Sequence, residues 1–107
     1  MPKFLWHGSY TERGAKALVE EGGSKRRAGV EQAVTAMGGT LDAMYWSFGD
    51  EDYYAIVDLP DNVSGAAVSL ATAAAGAVRV KTVVLLTAED LDEAARRADE
   101  YRGPGAR

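Results

Sequence analysis

The feature that most limits the fold is a set of adjacent apolar pairs inside short, β-rich segments: Phe4-Leu5, Ala55-Ile56, Val83-Val84 and Leu85-Leu86. Neighbouring residues of a strand point to opposite faces of a sheet. A sheet built from these segments is therefore apolar on both faces over much of its length. If one face met water, the strands would alternate apolar and polar residues, and these do so poorly. Both faces need cover, and the chain's own helices supply it for one.

The rest of the chain predicts where those helices fall. Lys3–Tyr10 reads as the first strand. Thr11 is a suitable N-cap for a helix to Glu21, which Gly22-Gly23 stops. Ser24 is expected to cap a second piece, Lys25–Met37, in which Val30, Ala33, Val34 and Met37 share one face. Gly38-Gly39 ends it. Thr40–Phe48 and Tyr53–Leu59 read as a hairpin. Asp61 caps a helix ending at Gly76, whose stripe of Val63, Ala66, Ala67, Leu70, Ala71 and Ala74 is expected against the sheet. Val78–Thr87 is the fourth strand. Thr87 and Asp90 then form a capping-box pair for a last helix with Leu91, Ala94, Ala95, Ala98 and Tyr101 along one side.

The order β-α-β-β-α-β plus a helix predicts an α+β, ferredoxin-like fold with a four-stranded antiparallel sheet. Right-handed crossovers put both helices on one face. The other face is left bare. Covering several hundred Å2 of apolar surface at ~25 cal/mol per Å2 is worth several kcal/mol per chain. The expected cover is the same face of a second copy, giving a homodimer or larger homo-oligomer, a dimeric α+β barrel. The competing arrangement folds the last helix back over the open face.

A chain of 107 residues is one ordinary domain. It is read as residues 1–101, with a flexible tail over 102–107. The chain has no cysteine and one histidine, which excludes disulfides, thiol nucleophiles and a multi-histidine metal site. No metal and no cofactor is expected; haem would have only His7 as an axial ligand. Twelve basic against 16 acidic residues give a net charge of −4, which argues against nucleic acid, as does the lack of an RNP1-like basic–aromatic signature. No apolar run approaches the ~20 residues that span a bilayer, and the start "MPKFLW" lacks the shape of a signal peptide. A cytoplasmic location is expected.

Four stretches together carry a resemblance: "SYTERG" after the first strand, Gly38-Gly39 before the second, "FGDEDYYAIVDLPD" around the hairpin, and "GAVRVKT" opening the fourth strand. In this order and spacing they resemble the GYD-domain family of small bacterial and archaeal proteins, over about Lys3–Thr87. Gly49 and Asp52 match the family's Gly-x-Tyr-Asp pattern, with Glu51 in place of the tyrosine. Arg79 matches in the fourth strand, where Val80 replaces a threonine. The resemblance implies the dimeric α+β barrel fold and assigns no reaction.

Three groups of residues are candidates for chemistry. In "FGDEDYY", Asp50 and Glu51 are expected to point into solvent from a turn that Gly49 favours. Asp52, beside the apolar third strand, is expected to accept turn amides or to pair with a cation. Consecutive residues alternate sides, so the three carboxylates cannot converge on one ion. In "GGSKRR", Arg26 falls near the middle of the inward helix stripe and Arg27 at its edge. Two readings stand: an internal ion pair with Asp52, Asp42 or Asp58, or an anionic ligand. His7 is either a hydrogen-bonded, partly buried imidazole or a general base in a cavity between sheet and helices, with Gly8 leaving room for a ligand. Trp6, Tyr45, Trp46, Phe48, Tyr53 and Tyr54 cluster on the first three strands; most are expected to fill the core or a dimer seam and some to line a small apolar pocket, with Trp46, Tyr45 and Tyr54 as the candidates to hold a ligand.

The functional expectation is a homo-oligomeric domain binding a small organic or anionic ligand through Arg26, Arg27, Trp46, Tyr45, Tyr54 and Asp52. The alternative is a cofactor-independent monooxygenase or isomerase with His7 as the catalytic residue.

Overall fold

The computed structural model describes residues 1–105. The elements are β1 (Lys3–Tyr10), α1 (Glu12–Glu21), α2 (Gly23–Ala36), β2 (Thr40–Trp46), β3 (Tyr53–Asp58), α3 (Asn62–Ala75), β4 (Val78–Leu85) and α4 (Ala88–Ala98). The strands form one antiparallel sheet in the order β2-β3-β1-β4. This is the ferredoxin-like arrangement, with β1 and β3 in the middle. Of the expected tail, residues 106 and 107 lie outside the described residues.

Local chemistry sets the boundaries. Thr11 accepts from the Gly14 amide, and Asp61 accepts from the Ser64 amide at 2.8 Å. Thr87 and Asp90 cap each other reciprocally. Ser24 is not a cap: α2 begins at Gly23, and Gly22, at φ 82°, serves as the junction that turns α1 into α2 without a side-chain bond. The strands also end sooner than expected, β2 at Trp46 and β4 at Leu85.

The core lies between the sheet and α2 and α3. Phe4, Trp6, Val34, Leu41, Met44, Ala55, Val57 and Leu59 are buried there. Leu41 and Met44 are three apart, the wrong parity for one face of a strand. A register shift between Leu41 and Ala43 leaves Asp42 as an extra residue and brings both onto the core side.

Two expectations need correction. The chain does not close a barrel: β2 and β4 are free edges of an open sheet, and closure would take a second sheet. Nor does the expected stripe of α3 face the sheet. Val63, Ala66, Ala67, Leu70, Ala71 and Ala74 are exposed; Gly65 is buried and Val68, Ser69 and Thr72 are half-buried. An added Cβ at Gly65 would stand 3.1 Å from the Phe4 ring, so the smallest side of α3 makes the closest approach. The hydroxyls on that side are satisfied locally, Thr72 donating to the Val68 carbonyl at 2.9 Å and Ser69 bonding Thr82 at 2.8 Å.

The face away from the helices carries Leu5, Ile56, Tyr54, Tyr45, Val83 and Leu85 among Lys3, His7, Arg79 and Lys81, as the cross-strand register requires. α4 does not fold back over it: every residue of α4 is exposed. The molecule measures 61 × 28 × 23 Å with a radius of gyration of 17.1 Å. A compact chain of this length would have about 13 Å, so α4 projects from the body.

Candidate functional site

α2 packs on β2 and α3 packs on β4, towards the two edges of the sheet. Between them, over the central strands, a partly open cavity of about 130 Å3 remains. Its walls are mostly apolar: Val30, Ala33 and Val34 from α2, Val68 from α3, and Met44, Ala55, Val78 and Val80 from the sheet. The lining residues that carry polar groups are few: Arg26, Tyr10, Tyr53, Thr72 and Trp6.

Two of these groups lack partners. Arg26 makes no ion pair among the described residues, unlike Arg27, which lies 3.7 Å from Glu31 one turn along the helix. Trp6 is 6% exposed, and its Nε1 is buried with no hydrogen-bond partner among the described residues. A buried donor left unpaired costs about 1–3 kcal/mol. The remaining polar groups are committed. Burial pushes the Tyr53 phenol up to about 12, so it stays protonated and donates to the Arg79 carbonyl at 3.0 Å. The Tyr10 hydroxyl accepts from Trp46 Nε1 at 2.9 Å.

The hairpin tip divides its three carboxylates. Asp50 is exposed. Asp52 Oδ2 accepts from the Tyr10 amide at the end of β1 at 2.9 Å, rather than from the amides of its own turn or from a cation. Glu51 does not point into solvent as expected. Its side chain is only 15% exposed and sits 2.7 Å from His7 Nδ1 and 3.1 Å from Lys81 Nζ. Tyr54 stacks on His7 with ring centroids 6.0 Å apart. His7 faces the same side as Lys81 and Tyr54, away from Trp6 and the cavity. The sheet separates it from any ligand held there, and Gly8 leaves no room beside it. An added Cβ at Gly8 would meet the Arg79 carbonyl oxygen at 1.8 Å.

The Lys81 ammonium, and after it His7, hold the Glu51 carboxyl below its ordinary value. A carboxyl lowered on folding stabilises the fold above its unfolded pKa, and that stabilisation is lost as pH falls through the folded value. Glu51→Gln is therefore expected to lower Tm slightly at pH 7, with the gap closing as pH falls below about 4.5. Thermal scans of both proteins at pH 7 and pH 3 check this; an equal gap at both pH values would contradict it.

Of the ligand residues anticipated from sequence, then, only Arg26 lines the cavity. Trp46 and Asp52 line a separate open depression with Leu18, Val19 and Phe48. Tyr45, Tyr54 and His7 lie on the open face, and Arg27, half-buried beside Glu31, does not line the cavity. The internal ion pair offered for Arg26 is not formed, and Asp42 and Asp58 pair with Lys3 instead. Trp6 and Tyr53 line the cavity as well, two members of the aromatic cluster that were not singled out as ligand residues, and Tyr10 was not a candidate. The signal for Trp6 and Tyr10 was their shared parity with Phe4 on the helix side of the first strand.

A family model described as the GYD domain matches residues 4–95. No curated protein and no solved structure matches the chain.

Proposed function

The chain belongs to the GYD-domain family, and from that premise we propose that it is a self-associating binding domain whose sheet–helix cavity takes a small amphipathic organic anion. The observation that supports this most is the Arg26 side chain, without an ion-pair partner among the described residues, at the wall of a mostly apolar cavity. A carboxylate answers the guanidinium, and an apolar body fills the space. A cavity of about 150 Å3 accommodates benzene, so a void of about 130 Å3 fits one small ring or a short alkyl chain. The self-association rests on the uncovered apolar face of the sheet.

Benzoate is a suitable probe of the cavity, with benzyl alcohol as its uncharged counterpart. Benzoate is expected to raise Tm saturably and benzyl alcohol to do so far less. Arg26→Met is expected to weaken benzoate binding about tenfold or more, the loss of one charge-assisted contact. Equal Tm shifts for wild type and Arg26→Met would defeat the reading.

A further inference from the structure

We propose that His7 is a pH switch on self-association: two copies pair through their open sheet faces while His7 is neutral and come apart when it takes a proton. This rests on the self-association in the reading above and is independent of the ligand site.

The cross-strand register arranges the open face in rows. One row holds Leu5, Ala43, Ile56 and Val83. The next holds His7, Tyr45, Tyr54 and Lys81. Lys3, Asp58 and Leu85 lie beyond the first row, and Ser9 and Arg79 beyond the second. His7 thus stands in one of the two middle rows and, on β1, in one of the two middle strands. A second copy that covers this face covers His7. Two-fold symmetry brings residues near the centre of such a contact close to their own counterparts. His7 is also the only histidine of the chain, and histidine is the side chain whose ordinary titration lies between pH 5 and 8.

The groups around His7 set the sign. From the hairpin, Glu51 meets its Nδ1 at 2.7 Å, and from β3 the Tyr54 ring stacks on it. From β4, Lys81 pairs with Glu51 at 3.1 Å, and Arg79 lies next along that strand on the same face. On β1 itself the nearest charge of this face is Lys3, tied to Asp42 and Asp58. Glu51, held below its ordinary value by Lys81 and His7, stays ionised while His7 titrates. With Glu51, Lys81 and Arg79 charged, each cluster carries one net positive charge when His7 is neutral and two when it is protonated. Apposing two protonated clusters therefore raises their repulsion about fourfold. Glu51 favours the protonated imidazole, but it does so in a single chain and in a pair alike. Pairing adds burial and the net positive charge of the second cluster, and both oppose the proton.

The contact is small enough for this charge to decide it. Four strands ~4.8 Å apart and about eight residues long present about 500 Å2 of sheet face per copy. Two such faces give about 1,000 Å2, below the roughly 1,200–2,000 Å2 of stable complexes and within the range of transient ones. A change of about tenfold in the affinity of so modest a contact moves the protein between paired and single chains at working concentrations.

Sedimentation equilibrium over a dilution series at pH 7.5 and pH 5.5 tests the switch, with far-UV circular dichroism as the check on folding. The dissociation constant of wild type is expected to rise about tenfold or more at the lower pH. His7→Gln, which keeps a donor for Glu51, is expected to pair with the same affinity at both. Equal constants for wild type at the two pH values, or a tighter pair at pH 5.5, overturn the switch and leave self-association standing. A wild type that stays a single chain throughout overturns both. A His7→Gln protein with the wild-type pH response overturns the part given to His7. Calorimetric dilution of wild type at pH 6.5, in buffers of different ionisation enthalpy, needs no variant: protons must be taken up as the pair separates, and dissociation without uptake overturns the proposal.

Discussion

Gly8→Ala is expected to remove most or all of the folding stability. Gly8 lies in β1, a central strand, paired with Tyr53 on one side and Val80 on the other. A Cβ placed there would stand 1.8 Å from the Arg79 carbonyl oxygen, 2.9 Å from its carbon and 3.0 Å from the Tyr53 hydroxyl. Two of those atoms belong to the backbone of a neighbouring strand, so no rotamer change relieves the clash. β1 and β4 would have to part, losing ladder bonds and the Tyr53–Arg79 bond together. A cost above ~4 kcal/mol is expected, against total stabilities of about 5–15 kcal/mol for such domains. Tm should fall by at least about 15 °C, or the protein should be insoluble. Gly29→Ala is the control, because nothing lies within 4 Å of its added Cβ on α2; it should stabilise by about 0.5–1 kcal/mol. A Gly8→Ala protein melting within a few degrees of wild type would show that β4 yields easily, contrary to its place in the sheet.

The same glycine marks a limit of sequence reading. A glycine inside a strand signals close approach, but sequence does not say what approaches. A ligand was the expectation; the structure supplies the Arg79 carbonyl and Tyr53. The caps at Thr11, Asp61 and Thr87 were legible because a cap is chemistry between residues three apart, and the sheet order followed from the succession of elements. The sheet-facing side of α3 was not legible. Its residues are apolar or small all round, so the 3.6-residue period had no contrast to fix a phase, and closeness of approach at Gly65 decided instead. Glu51 failed for a different reason. Its partners His7 and Lys81 are 44 and 30 residues away, and only strand register brings them together. Arg26 was placed inward by helical phase alone. The cavity it lines arises from the spacing of two helices on a sheet, a distance that no local pattern encodes.

Asp52→Ala is expected to cost about 2–3 kcal/mol, the range for a hydrogen bond to a charged group whose donor is then left partly buried. One residue here ties three strands. The Asp52 amide donates to the Gly8 carbonyl at 2.7 Å, and its own carbonyl accepts from Ser47 at 2.9 Å. Any residue keeps those two bonds. Only a side-chain acceptor keeps the third, from the Tyr10 amide at 2.9 Å. Asp52→Asn should therefore recover most of the loss, and Asp50→Ala, at an exposed position, should change stability by less than about 0.5 kcal/mol. The effect should also reach the cavity. Tyr10 lines it, holds Trp46 Nε1 and packs against Tyr53 with ring centroids 5.5 Å apart. Freeing its amide loosens that wall, so benzoate affinity should fall in Asp52→Ala and return in Asp52→Asn, although Asp52 itself does not line the cavity. Urea denaturation of the four proteins with benzoate titrations on each separates the two effects. If Asp52→Asn were as unstable as Asp52→Ala, the amide of Tyr10 would not be what Asp52 serves, and the matching aspartate of the family pattern would need another explanation.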